Sequence, residues 1–153
     1  PGMLSARKPA VLVAALVALA GCDSGSPEPA DAERAGIRSY EGRVIRGWLL
    51  ALERGDYGEA AYYFAPGAII DQGRPFRLRD ESAARSFNAS LPCRATLVEL
   101  RHERRTVLAS FRLRRGPGGP CEGIVKVRYT IREGKFTEWR QLPQPQAPSG
   151  EVI

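Results

Sequence analysis

Side chains able to do chemistry are few in this chain, and they are scattered. His102 is the only histidine. A metal centre needs several His, Cys or carboxylate ligands at characteristic spacing, and the sequence around His102 offers no such cluster. The run His102-Glu103-Arg104 reads as a solvated hairpin tip, and no metal or cofactor is expected. A nucleophilic thiol needs a partner base, and one histidine leaves Cys93 and Cys121 little freedom to find one. Asp56, Glu59 and Asp80 stand at the openings of helical patterns and read as caps rather than as acids or bases. Asp71 is different. It closes a short apolar strand, where burial would raise a carboxyl pKa, and it is the candidate pocket acid. Arg101, Arg104, Arg105, Arg112, Arg114 and Arg115 gather along one hairpin. They could meet anionic headgroups or an acidic partner, but the plainer expectation is a solvated sheet edge, where charge blocks edge-to-edge pairing.

The third cysteine has another setting. Residues Val11 to Ala20 are an unbroken apolar run preceded by Arg7 and Lys8. This is the charged and apolar pattern of an export signal. A ten-residue helix rises only about 15 Å, too short to span a bilayer. The run ends in Leu19-Ala20-Gly21-Cys22, which resembles a bacterial lipobox, in which the cysteine thiol is lipidated and becomes the mature N-terminus. Acyl chains contribute roughly 0.8 kcal/mol per buried CH₂, so two or three hold a protein stably at a membrane. The expectation is a signal peptide over 1–21, lipidation at Cys22, and an extracytoplasmic, membrane-anchored domain. Segment 22–36, rich in Pro, Gly and Ser at its start, reads as a flexible tether, and 143–153 as a disordered tail. Outside the cytosol the two remaining cysteines, Cys93 and Cys121, favour a disulfide. That pairing requires the starts of two strands to approach within bridging distance.

Export also changes what the charge means. The chain has 23 Lys+Arg against 17 Asp+Glu, a net +6. Such a balance invites a nucleic-acid reading. However, 20 of the 23 cations are Arg, a bias that codon usage in a G+C-rich genome produces, and an exported domain does not meet nucleic acid routinely. The 43% hydrophobic and 26% charged residues exclude a collagen-like or wholly disordered chain.

The elements that must position any site follow from periodicity. Ile37, Tyr40, Val44, Ile45, Trp48, Leu49 and Leu52 recur at helical spacing and predict an amphipathic helix of about 16 residues. A short helix over Tyr57 to Phe64, broken by Pro66-Gly67, follows Asp56. Short strands over Ala68 to Asp71 and Phe76 to Leu78 flank a Gln72-Gly73 turn, and Asp80 opens a third helix to Asn88. Four strands are then expected, over Arg94 to Arg101, Thr106 to Arg114, Ile124 to Arg132 and Lys135 to Leu142. Val107, Ala109, Phe111 and Leu113 share one face, as do Val125, Val127, Tyr129 and Ile131. The arrangement is α+β, with helices on one face of a curved antiparallel sheet.

That order resembles the nuclear transport factor 2-like (SnoaL-like) superfamily. The resemblance is carried by Gly-Trp-Leu-Leu-Ala-Leu-Glu-Arg-Gly-Asp56-Tyr, by Ala-Ala-Tyr-Tyr-Phe-Ala-Pro-Gly-Ala68 and by Ile131-Arg-Glu-Gly-Lys-Phe-Thr-Glu-Trp139, within a domain over 37–142. It implies a conical, cystatin-like fold, a curved antiparallel sheet on three N-terminal helices with a pocket in the concave face. It implies no single reaction, because the fold hosts isomerases, hydrolases, carriers and interaction modules. Ketosteroid isomerases of this superfamily use a tyrosine and two aspartates, and the matching positions here are Trp48, Gln72, and Val127 or Lys126. Neither the hydroxyl nor the second carboxyl is present. The Asp–Arg–Asp set of limonene epoxide hydrolases does not match Asp71, Arg77 and Asp80 in spacing.

The reading is therefore a non-catalytic lipoprotein that binds a small apolar ligand or an envelope protein. Trp48, Tyr63, Phe76, Phe111, Tyr129, Trp139 and Gln141 are the candidate pocket residues. One alternative is a SnoaL-like isomerase or hydrolase with its acid at Asp71. Another is an interaction module with a closed core, dimerising through the sheet.

Overall fold

The computed structural model describes residues 29–144. The expected signal segment, Cys22, the first part of the tether and the tail from 145 onward lie outside the described residues. Four helices and six strands follow one another as α1 (Pro29–Arg38), α2 (Tyr40–Glu53), α3 (Tyr57–Tyr62), β1 (Phe64–Asp71), β2 (Pro75–Leu78), α4 (Glu81–Ser90), β3 (Arg94–Glu103), β4 (Thr106–Arg114), β5 (Ile124–Arg132) and β6 (Lys135–Gln141).

The expected 16-residue helix is two helices. Ser39 adopts an extended backbone, φ −61° and ψ 171°, and its side chain accepts a hydrogen bond from the Gly42 N–H at 3.1 Å. This N-cap ends α1 and starts α2. Helix α1 begins at Pro29, inside the segment expected to be tether, because its last turn has a place to pack. A Cβ on Gly36 would lie 2.2 Å from the Leu100 carbonyl oxygen, so the missing side chain lets α1 lie against β3. Asp56 and Asp80 cap α3 and α4 as their spacing predicts, accepting from the N–H groups of Glu59 and Ala83. Phe64 opens β1 rather than closing a helix. Pro66-Gly67 lies within that strand, where Gly67 takes φ +78° and the pairing register shifts.

The sheet runs β2-β1-β6-β5-β4-β3. Every neighbouring pair is antiparallel except β1 with β6, which is parallel. The sheet is thus mixed, and α4 follows β2, so the described residues hold four helices, not all of them N-terminal. Register shifts leave Val98 of β3 and Thr137 of β6 unpaired, and such bulges bend strands and increase their twist. Helix α2 lays Val44, Ile45, Trp48, Ala51 and Leu52 into the core. They meet the buried Val107, Ala109, Phe111, Val127, Tyr129, Phe136 and Trp139 of the sheet. The opposite face carries charge. There Arg140 bridges Asp71 and Glu138, and Arg128 pairs with Glu103.

Candidate functional site

Between α2 and the inner face of β3 to β6 lies a cavity of about 200 Å³. Strand alternation builds most of its wall. Ala95 pairs with Leu113, while Phe111 pairs with Val125 and Tyr129 with Trp139, so all six side chains fall on one face. Helix α2 adds Trp48, Leu49 and Leu52, and the approach to β3 adds Leu91, Pro92 and Cys93. Buried Trp48, Phe111, Val127, Tyr129 and Trp139 form the floor, and exposed Glu53, Gln72 and Pro92 stand at the rim. Arg94 and Gln141 complete the wall.

The floor is held rigidly. The Trp48 ring sits edge-on to Phe136 at 5.6 Å and to Tyr129 at 6.4 Å, and its N–H donates to the Asn88 Oδ1 at 2.7 Å. Asn88, fully buried, donates in turn to the Ala84 carbonyl at 2.8 Å. Phe87 packs edge-on to Trp139 at 5.6 Å. Burial pushes the Tyr129 phenol well above its ordinary range, and the neighbouring Trp139 indole opposes this only in part. The hydroxyl is therefore protonated at neutral pH.

The mouth is fastened by a disulfide. Cys93 and Cys121 are joined with their Cα atoms 5.9 Å apart. Their strands flank β4, a separation that threatened the pairing, but the loop after β4 folds back across Pro92. The Gly118 N–H donates to the Pro92 carbonyl at 2.8 Å. A Cβ on Gly116 would lie 2.5 Å from that same oxygen, so the turn closes only with glycine there.

Trp48, Phe111, Tyr129, Trp139 and Gln141 lie on the cavity wall, and Tyr63 and Phe76 do not. Tyr63 follows α3 and turns its hydroxyl onto α2, where a Cβ on Gly47 would come within 2.3 Å of it. Phe76 sits on β2, the edge strand farthest from β3, half-exposed beside Phe87. Asp71 is also absent from the cavity. Ile70 points into the core with no exposure, so the next residue faces the other way. The Asp71 carboxylate takes the Arg140 guanidinium at 3.1 Å and the Gly73 N–H at 3.0 Å on the outer face. That removes it as a pocket acid. The positions matched by resemblance to catalytic ones, Trp48, Gln72 and Val127, do line the cavity, but none is an acid or a base. The one carboxylate on the wall, Glu53, is half-exposed at the rim and bonded to Arg114 at 2.9 Å.

His102 bonds Glu41 at 3.0 Å near the far hairpin end, and its partner lowers the Glu41 carboxyl below the usual range. Among the described residues no three His, Cys, Asp or Glu side chains converge as metal ligands would. Sequence reasoning missed Arg94 and the 91–93 segment. Alternation along β3 and β4 predicts Ala95 and Leu113, whereas Arg94, the first residue of β3, is placed beside the Gly116 turn, a neighbour no local pattern announces.

No protein-family model matches this sequence, and no curated protein matches it. Solved structures do. A nuclear transport factor 2-like protein of unknown function from Cytophaga hutchinsonii superposes with a TM-score of 0.55 at 9% identity, over 67% of this chain and 88% of that one. TerC, co-crystallised with polyporic acid, gives 0.56 at 14% identity over 69% and 92%. A protein assigned provisionally as a polyketide cyclase from Sinorhizobium meliloti gives 0.54 at 17% identity over 65% and 94%. At these identities the likeness is one of fold, and the fold of this chain is the α+β, nuclear transport factor 2-like curved sheet.

Proposed function

We propose that the chain is an exported lipoprotein, anchored at an extracytoplasmic membrane face through Cys22, whose domain binds a small apolar ligand without transforming it. The observation that carries the binding reading is the cavity, whose floor is apolar and whose wall holds no acid–base pair. An apolar cavity of about 150 Å³ is known to hold benzene, so about 200 Å³ suits a single substituted ring or a short branched chain. Drug-sized pockets begin near 300 Å³, above this one. TerC, which shares the fold, has been co-crystallised with polyporic acid. The anchor reading rests on the apolar run before Leu19-Ala20-Gly21-Cys22.

Native mass spectrometry of the chain extracted from host membranes tests both halves. The expected spectrum shows a chain that begins at an acylated Cys22 and carries a small noncovalent mass lost on denaturation. A chain that retains residues 1–21 would overturn the anchor. An empty cavity that also fails to take up added ethylbenzene would overturn ligand binding.

A further inference from the structure

Among the described residues, the buried Arg94 Nη1 has no hydrogen-bond partner, whereas the buried Tyr129 hydroxyl and Trp139 indole have only each other. All three residues lie on the wall of the same cavity. Buried polar groups in native proteins are nearly always paired, so the unpartnered guanidinium nitrogen calls for a cause. A guanidinium N–H only donates, so the partner missing at Arg94 is an acceptor.

Charge sharpens the choice of acceptor. In the pairing of β3 with β4, Arg94 lies directly opposite Arg114, a like-charge arrangement that disfavours itself. Arg114 is satisfied, bonding Glu53 at 2.9 Å and the Thr96 hydroxyl at 2.9 Å. With Glu53 and Arg114 cancelling, Arg94 leaves one positive charge at the mouth of an apolar cavity. Arg94 is half-buried with its Nη1 out of contact with water, and a buried donor of a charged group is costly unless paired. A guanidinium answers best to a carboxylate, which it grips through two parallel hydrogen bonds.

We infer that the ligand is a small apolar acid, its hydrocarbon body on the Trp48–Phe111–Tyr129 floor and its carboxylate on Arg94. This rests on the reading of the cavity as a ligand site and adds that the ligand is anionic. Gln72 and Gln141, also on the wall, supply neutral amides that discriminate weakly between an acid and its amide.

Calorimetric titration of the full chain, with its disulfide intact, by 4-ethylbenzoate, 4-ethylbenzamide and ethylbenzene at pH 7 tests the inference. Charge-assisted hydrogen bonds are about twice as strong as neutral ones, so the benzoate is expected to bind about tenfold tighter than the amide or more. Arg94→Gln should bring the pair to within about twofold, while Arg94→Lys, which keeps the charge and loses the fork, should fall between. If ethylbenzene binds and the acid gains nothing over the amide in the wild-type chain, the inference is overturned and the apolar site stands. Retention of the full preference in Arg94→Gln also overturns it. If none of the three probes binds, both readings fall together. The wild-type comparison decides the matter even if a variant does not fold.

Discussion

Trp48 is fixed from two sides, and this sets how precisely the cavity floor is held. Its ring packs against Phe64, Phe136 and Tyr129, and its N–H has one partner, the Asn88 Oδ1. Asn88 is fully buried, with its amide also tied to Ala84. Asn88→Ala would leave the indole N–H unpaired and open a small void. An abandoned buried donor costs about 1–3 kcal/mol, with the lost packing added to it. The variant is expected to lose about 2–4 kcal/mol in urea denaturation, and a loss below about 1 kcal/mol would show that the indole finds another acceptor. Little of this was legible in the sequence. Asn88-Ala-Ser90 shows only a glycosylation sequon, which a side chain without exposure cannot serve in the folded domain. Its partner lies 40 residues away, and such a pairing is fixed by how α4 packs on α2. Asp71 teaches the converse lesson. Gln72, the position matched to the catalytic base, lines the cavity, and Asp71, one residue before it in a stretch of strand without a bulge, falls on the opposite face.

Among the elements, the inner faces of β4 and β5 were legible because alternation alone assigns them. Phe111, Val127 and Tyr129 lie where the period of two puts them. The capped starts of α3 and α4 were legible for a similarly local reason. Two features were not. The parallel pairing of β1 with β6 joins the two ends of the domain, and α1 looks like linker until its glycine meets β3. The disulfide is the element-scale device with the largest expected effect. It closes a separation of 28 residues, for which chain entropy gives about 3–4 kcal/mol. The double variant Cys93→Ala/Cys121→Ala is expected to lose stability of that order. It should also weaken ethylbenzene binding, because Cys93, Pro92 and Leu91 form one side of the cavity mouth. Unchanged binding at saturating stability would show that the glycine loop over Pro92 holds the mouth unaided.

At the scale of the whole molecule, the two ends of the sheet carry different responsibilities. The disulfide and cavity mouth occupy the end where β3 begins, whereas the groups most sensitive to acid lie toward the hairpin where β3 finishes. Glu41, in the first turn of α2, bonds His102, and Glu103 takes the Arg128 guanidinium at 2.8 Å. Those partners hold both carboxyls below the usual range. A depressed carboxyl means that the unfolded chain binds more protons than the folded one between the two pKa values. The stability from these pairs is therefore complete above the unfolded value, about 4.3 for glutamate, and disappears as pH falls through the lower folded values. Both carboxylates are about one-third exposed, so solvent screening limits each pair to about 1 kcal/mol or less. Thermal unfolding followed from pH 7 to pH 3 should be level to about pH 5 and then decline. Glu41→Gln/Glu103→Gln should start a few degrees lower at pH 7 and decline less steeply. An acid slope equal to wild type would show that these pairs do not carry it. Cys93 and His102 are separated by most of a strand, roughly 30 Å at the rise of extended chain. Effects at that distance add. Reduction of the disulfide should accordingly lower the whole curve and leave its acid slope unchanged.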